Sequence, residues 1–229
     1  MAKPRLSIRL QVLLLAIGFT LIIAVGVCVA SICAYHKNVM RSATQSTEYN
    51  LQVAAGSLSQ DVAEIDNLAD WCTVNSTIRG YVLSSHWQGQ VINIYNTLLT
   101  KYSSQHTARY LRRVLITDTQ SRFLQQGTAT THSRAINAET VNRLPLFTNG
   151  TAADSWTVIA DDPLMTVNTG TVIPVMRTMT NASTGATARV YITVSTSLIT
   201  DAVAHYALSE GSRLFWIMDG CAYELTDGS

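Results

Sequence analysis

The 229-residue chain is 47% hydrophobic and 14% charged, with a formal net charge of +1. Its length suits one large or two small packed domains, and its apolar content at so low a net charge excludes intrinsic disorder. Twelve glycines and four cysteines are too few for a collagen or a disulfide-stapled mini-protein, and 16 Lys+Arg against 15 Asp+Glu, with no basic run, argue against a nucleic-acid partner.

Lys3, Arg5 and Arg9 precede a stretch from Leu10 to Tyr35 that holds no Asp, Glu, Lys or Arg. A bilayer core takes about 20 apolar residues in a helix, and a cleaved signal peptide has an apolar region of roughly 7–15, so the length favours a retained membrane anchor over its rival. The basic cluster lies on the short N-terminal side, which predicts a cytoplasmic N-terminus, a single pass through the cell membrane and an extracytoplasmic remainder from about residue 36. Removing those three residues from the 16 basic ones leaves 13 against 15 acidic, without a polybasic lipid-binding patch. Cys28 and Cys33 fall in the apolar stretch; Cys72 and Cys221 lie beyond it, where they are either a disulfide pair or two free thiols.

From Lys37 to about Trp71 the residues Leu51, Ala54, Ala55, Leu58, Val62, Ile65, Leu68 and Ala69 recur at three- and four-residue steps, the pattern of one long amphipathic helix. Asp61, Glu64 and Asp70 read as its wet face. Asn75-Ser76-Thr77 interrupts the pattern, Ile78–Leu83 reads as a short helix, and Trp87–Tyr110 as a second helical stretch, with an antiparallel helical pair the simplest arrangement.

Strands follow. Leu111–Thr117 and Arg122–Gln126 flank the turn residues Asp118-Thr119-Gln120-Ser121 and read as a hairpin. Asn137–Arg143 reads as a helix ended by Pro145, and Trp156–Ala160 as a strand closed by Asp161-Asp162-Pro163, whose two acids are read as a turn start, with a site for a cation or a ligand amine as the alternative. Thr171–Thr180 and Ala188–Ser195 are expected to pair antiparallel across the loop Asn181–Gly185. In the second of them Val190, Ile192 and Val194 alternate with Arg189, Tyr191, Thr193 and Ser195, which predicts one packed and one polar face. A helix over Ser197–Ser209, with Ser197 as N-cap, precedes a last hairpin, Arg213–Met218 and Cys221–Leu225 about Asp219-Gly220.

Catalytic signatures are absent: the sequence has no GxSxG, HExxH, P-loop or GxGxxG. No two of His36, His86, His106, His132 and His205 lie within four residues of one another, so they read as surface histidines rather than metal ligands. Neither a cofactor nor catalysis is expected of this chain.

Four segments carry a family resemblance: YLRRVLITDTQSRFL, DDPLMTVNTGTVIPVMRTMT, STGATARVYITVSTSLI and GSRLFWIMDGCAYEL. With the anchor and long helix before them, they resemble the extracytoplasmic sensor region of bacterial membrane receptors, above all sensor histidine kinases with a double-Cache (paired PAS-like) domain. The resemblance implies an α+β fold divided into a cytoplasmic stub (1–9), a transmembrane helix (10–35), a helical stalk and helical pair (36–110), a distal PAS-like (Cache) antiparallel sheet domain (111–196), a connecting helix (197–210) and the beginning of a second PAS-like module (211–229). The rest of that module, a second membrane helix and a kinase core lie outside this sequence, which is read as a partial chain.

The same resemblance implies a small-molecule pocket over the sheet. Trp156 and Tyr191 would supply apolar walls with polar handles, Arg177 would clamp a carboxylate, Asp161 would meet an ammonium, and Thr193 would stand on the polar strand face. Function is then expected to be ligand sensing for a two-component system, by a homodimer whose stalk residues Leu58 and Ile65 approach a second copy. Alternatives are the sensor region of a chemoreceptor or cyclic-dinucleotide enzyme, or a stand-alone anchored binding protein.

Overall fold

A computed structural model describes residues 7–84, 88–118, 122–127, 156, 160–162, 171–204, 213, 215–218 and 220–224. The expected helix over 137–143 lies outside them. The chain forms two compact units, 1–53 and 54–229.

Within the first unit every described side chain from Ser7 to Tyr49 is exposed, including Leu13, Leu14, Phe19 and Ile22. The unit consists of the N-terminal part of α1, a helix running Ile8–Val74 that contains an uncharged apolar window long enough to cross a membrane. Such a bare apolar surface is what a bilayer covers. Anchor and amphipathic helix, read separately from the sequence, belong to this one element.

In the second unit α1 buries Ala54, Leu58, Ile65, Leu68, Ala69 and Cys72, the stripe its period predicts. Leu51 and Ala55 are exposed. Asn75 ends this helix and caps the next, α2 (Ser76–Leu83), its side-chain oxygen accepting from the backbone N–H groups of Thr77 and Ile78. The second helical stretch resolves into α3 (Val91–Ser103) and a 3-10 turn at His106–Tyr110. Ile94, Leu98 and Tyr102 of α3 join the α1 stripe in one core.

A five-stranded antiparallel sheet completes that core. Its strands are β1 (Leu111–Asp118), β2 (Phe123–Gln126), β3 (Ala160–Asp161), β4 (Thr171–Thr180) and β5 (Thr187–Ser195), in the spatial order β2-β1-β5-β4-β3. The expected β1–β2 hairpin and β4–β5 pairing are both present, with Gly185 at φ +70° in the β4–β5 loop. Trp156 is not in a strand: it sits at φ 68°, its N–H donating to the Pro174 carbonyl. That bond shows that Pro174 turns its backbone polar edge away from β5, where a missing N–H breaks no ladder.

Helix α4 (Ser197–Ala204) starts at Ser197, one residue earlier than an N-cap role there allows; the Ser197 hydroxyl instead donates to Ser195 Oγ at 2.8 Å. Strands β6 (Phe215–Met218) and β7 (Cys221–Glu224) form a separate antiparallel pair, with Gly220 at φ +78° in the turn and Arg213 gripping Glu224 through two bonds of 2.6 and 2.5 Å.

Candidate functional site

Side chains of residues opposed across an antiparallel ladder stand on the same face of the sheet. One face presents Val114 and Ile116 of β1, Ile173 and Val175 of β4 and Val190, Ile192 and Val194 of β5, all packed into the core shared with the helices. On the opposite face Arg113, Thr193 and Pro174 align across β1, β5 and β4, and Leu115, Tyr191 and Met176 form the next row. This second face is buried too, against the expectation that it would be the polar side: Arg113, Tyr191 and Thr193 are each at most 1% exposed. Alternation in β5 marks two buried environments, one apolar and one polar.

Across that polar face Arg113 Nη2 lies 3.4 Å from Asp162 Oδ2, and both side chains are almost fully enclosed. Burial of the pair demands close mutual compensation, because an unpaired charge at this depth costs several kcal/mol. Tyr191 lies in the same field. Burial raises its phenol pKa first, the negative Asp162 adds to the rise, and the positive Arg113 offsets part of it, so the hydroxyl stays protonated. Beside them the Thr193 hydroxyl is fully buried and, among the described residues, has no hydrogen-bond partner. A cation, an anion, a phenol and a hydroxyl without a partner among the described residues thus share a buried face, with apolar Leu115, Met176 and Val172 around them.

Tyr191 and Thr193 are legible in the sequence as ligand candidates, Asp162 reads there with Asp161 as a turn start or a cation or amine site, and Arg113 is not singled out. Asp162 is half of a buried ion pair. The signal for Arg113 was a cation in the middle of an otherwise apolar strand, masked by its neighbour Arg112. Asp161 lies on β3, its backbone paired with Thr171.

Arg177 and Trp156 belong to the helix-facing side. Arg177 Nε donates to Asp70 Oδ1 and Nη2 to Asp66 Oδ1, each at 2.7 Å, so its guanidinium is clasped by two carboxylates of α1 instead of being offered to a ligand. Burial opposes that charge, and the hydrogen bonds and attraction of Asp70 and Asp66 more than offset it, holding the pKa above its ordinary value. Trp156 Nε1 donates to the same Asp66 oxygen at 3.2 Å, and its ring packs against the core. Tyr191 and Thr193 therefore lie on one face of the sheet and Arg177 and Trp156 on the other, so these four candidates do not share one pocket.

Two further readings gain detail. His106 is surface-exposed but not isolated: its ring nitrogens meet Asp61 Oδ1 at 2.7 Å and the Glu64 carboxylate, and its backbone N–H donates to Glu64 Oε1. Asp61 and Glu64 are half-buried, one turn apart on α1, and grip the 3-10 turn; with His106 their ligand atoms lie within 4.8 Å of one another. The cysteines do not pair: Cys72 is buried in the core, Cys221 is exposed on β7, and both thiols are free.

No model of a known protein family matches the sequence, and no curated protein matches it.

Proposed function

We propose that this chain is the ligand-sensing region of a bacterial membrane receptor, with its N-terminus cytoplasmic, its mixed helix and sheet unit extracytoplasmic, and a small polar molecule as its signal. The observation that carries the reading is the buried polar group of Arg113, Asp162, Tyr191 and Thr193, in a chain whose first helix also bears an uncharged stretch long enough to span a bilayer. Transporting such groups out of water is costly for folding, and a ligand able to bond the Thr193 hydroxyl recovers part of that cost only when bound. Assignment to a double-Cache sensor of a two-component histidine kinase rests on the resemblance of the four quoted segments and on the segment order.

Signalling then follows from a population shift: a ligand that binds one conformation better favours it by its differential affinity, and α1 carries residues of both the sheet-packed stripe and the apolar stretch. The test is a thermal-shift screen of the full chain in lipid nanodiscs against free amino acids, dicarboxylates, quaternary amines and sugars. A true ligand at about 100 times its Kd adds about 2.7 kcal/mol, a rise of several degrees, and that rise disappears in Thr193→Val. A panel without any stabiliser, or a stabiliser indifferent to Thr193→Val and Tyr191→Phe, overturns the reading.

A further inference from the structure

On the helix-facing side of the sheet a cavity of about 330 Å³ lies among α1, β4, α4 and β6, walled by Leu58, Val62, Ile173, Leu198, Trp156 and Trp216. It is on the face opposite the Arg113–Asp162 pair, so it is not the site described above. No charged side chain lines it among the described residues, and Ser59 at its edge contributes the one hydroxyl. Trp216 has a buried indole Nε1 that has no hydrogen-bond partner among the described residues. A buried donor left unpaired carries its full desolvation cost, and walls this apolar offer a water too few of the two to four partners it needs.

We propose that this cavity is a second binding site, for a small uncharged molecule that is mostly hydrocarbon and carries one hydrogen-bond acceptor, which takes the Trp216 N–H. Its volume falls at the small end of ligand pockets. The two indoles give flat apolar walls. Among the described lining residues no counter-charge stands ready for a carboxylate or an amine, whose desolvation they would not compensate. An aliphatic ketone or ester fits each requirement, and the proposal does not depend on the polar cluster being a signal site.

The probe is 2-heptanone, with n-heptane as the matched hydrocarbon, added to full chain in lipid nanodiscs with ¹⁵N-indole-labelled tryptophan. The Trp216 indole resonance, assigned by its disappearance in Trp216→Phe, is expected to move downfield and saturate with the ketone and not with heptane. In competition the ketone binds about tenfold more tightly than heptane, the value of one recovered hydrogen bond, and Trp216→Phe levels the two. Ser59→Phe, an enlargement at an exposed helix position that leaves the core intact, is expected to abolish saturable binding of both. A Trp216 resonance that does not move or moves without saturating, equal affinities in the unmodified chain, or unchanged binding in Ser59→Phe each overturns the proposal.

Discussion

Thr193 carries a hydroxyl that folding buries and leaves without a partner among the described residues, beside an Arg113–Asp162 pair that is itself shut away from water. Replacing it by valine keeps the branched shape and removes the unpaired group, so Thr193→Val is expected to raise the stability of the ligand-free chain by about 1 kcal/mol while removing the ligand response. Chemical denaturation checks the sign; a loss of stability shows that the hydroxyl is bonded in the folded chain. Cys72 offers a second test at this scale. Burial pushes its thiol from 9.0 up to about 12, with the positive Lys101 giving back only part of the rise. Between those values the unfolded chain has released the proton and the folded chain keeps it, so the contribution is intact below pH 9 and is lost as pH climbs, by about 4 kcal/mol over the whole interval. Cys72→Ala lacks that slope. Urea unfolding at pH 8 and pH 11 should find the gap between the unmodified chain and Cys72→Ala narrowed by about 2–3 kcal/mol at the higher pH, and a constant gap removes the burial argument.

Elements repeat this logic through the backbone. Gly127 follows β2 at φ +139°, and a Cβ there would clash with the Arg112 carbonyl oxygen. Gly127→Ala is expected to cost about 2 kcal/mol or more, because both the dihedral and the contact oppose it. Gly56→Ala in α1 meets nothing within 4 Å and should be neutral or stabilising by up to about 1 kcal/mol, so the difference between the two melting shifts isolates the turn. Helices and the paired strands were legible because their signals are local: a 3.6-residue stripe in α1, Asn75 at a break, β-rich runs on either side of Asn181–Gly185. What stayed hidden is long-range. Arg177 meets Asp66 and Asp70 across more than a hundred residues of sequence, and His106 meets Asp61 across 45, distances at which spacing carries no information. The polar face of β5 was read correctly in its membership and wrongly in its environment, since alternation distinguishes two faces but not whether each is covered. For that reason Tyr191 and Thr193 surfaced as candidates while their buried partner Arg113 did not.

For the whole molecule, the receptor reading requires two copies side by side, and the structure changes which residues can report them. Leu58 and Ile65, the stalk positions expected to approach a partner, are buried in the chain's own core. Earlier in α1 the side chains are exposed, and Val39, Ser42, Ser46, Tyr49 and Val53 recur at alternating three- and four-residue steps, the spacing of a helix–helix seam. Tyr49 and Val53 are apolar or aromatic and open to a neighbour, whereas Thr44 and Thr47 lie on the other side of the same helix. Single cysteines placed at these four positions, in a chain whose own cysteines are replaced by alanine, should form interchain disulfides in membranes at Tyr49→Cys and Val53→Cys several-fold faster than at Thr44→Cys and Thr47→Cys. Equal rates at all four positions indicate random collision, and no disulfide at any of them leaves a monomer. Either outcome removes the paired helix from the mechanism and favours a ligand-binding protein that holds to the membrane without signalling through it.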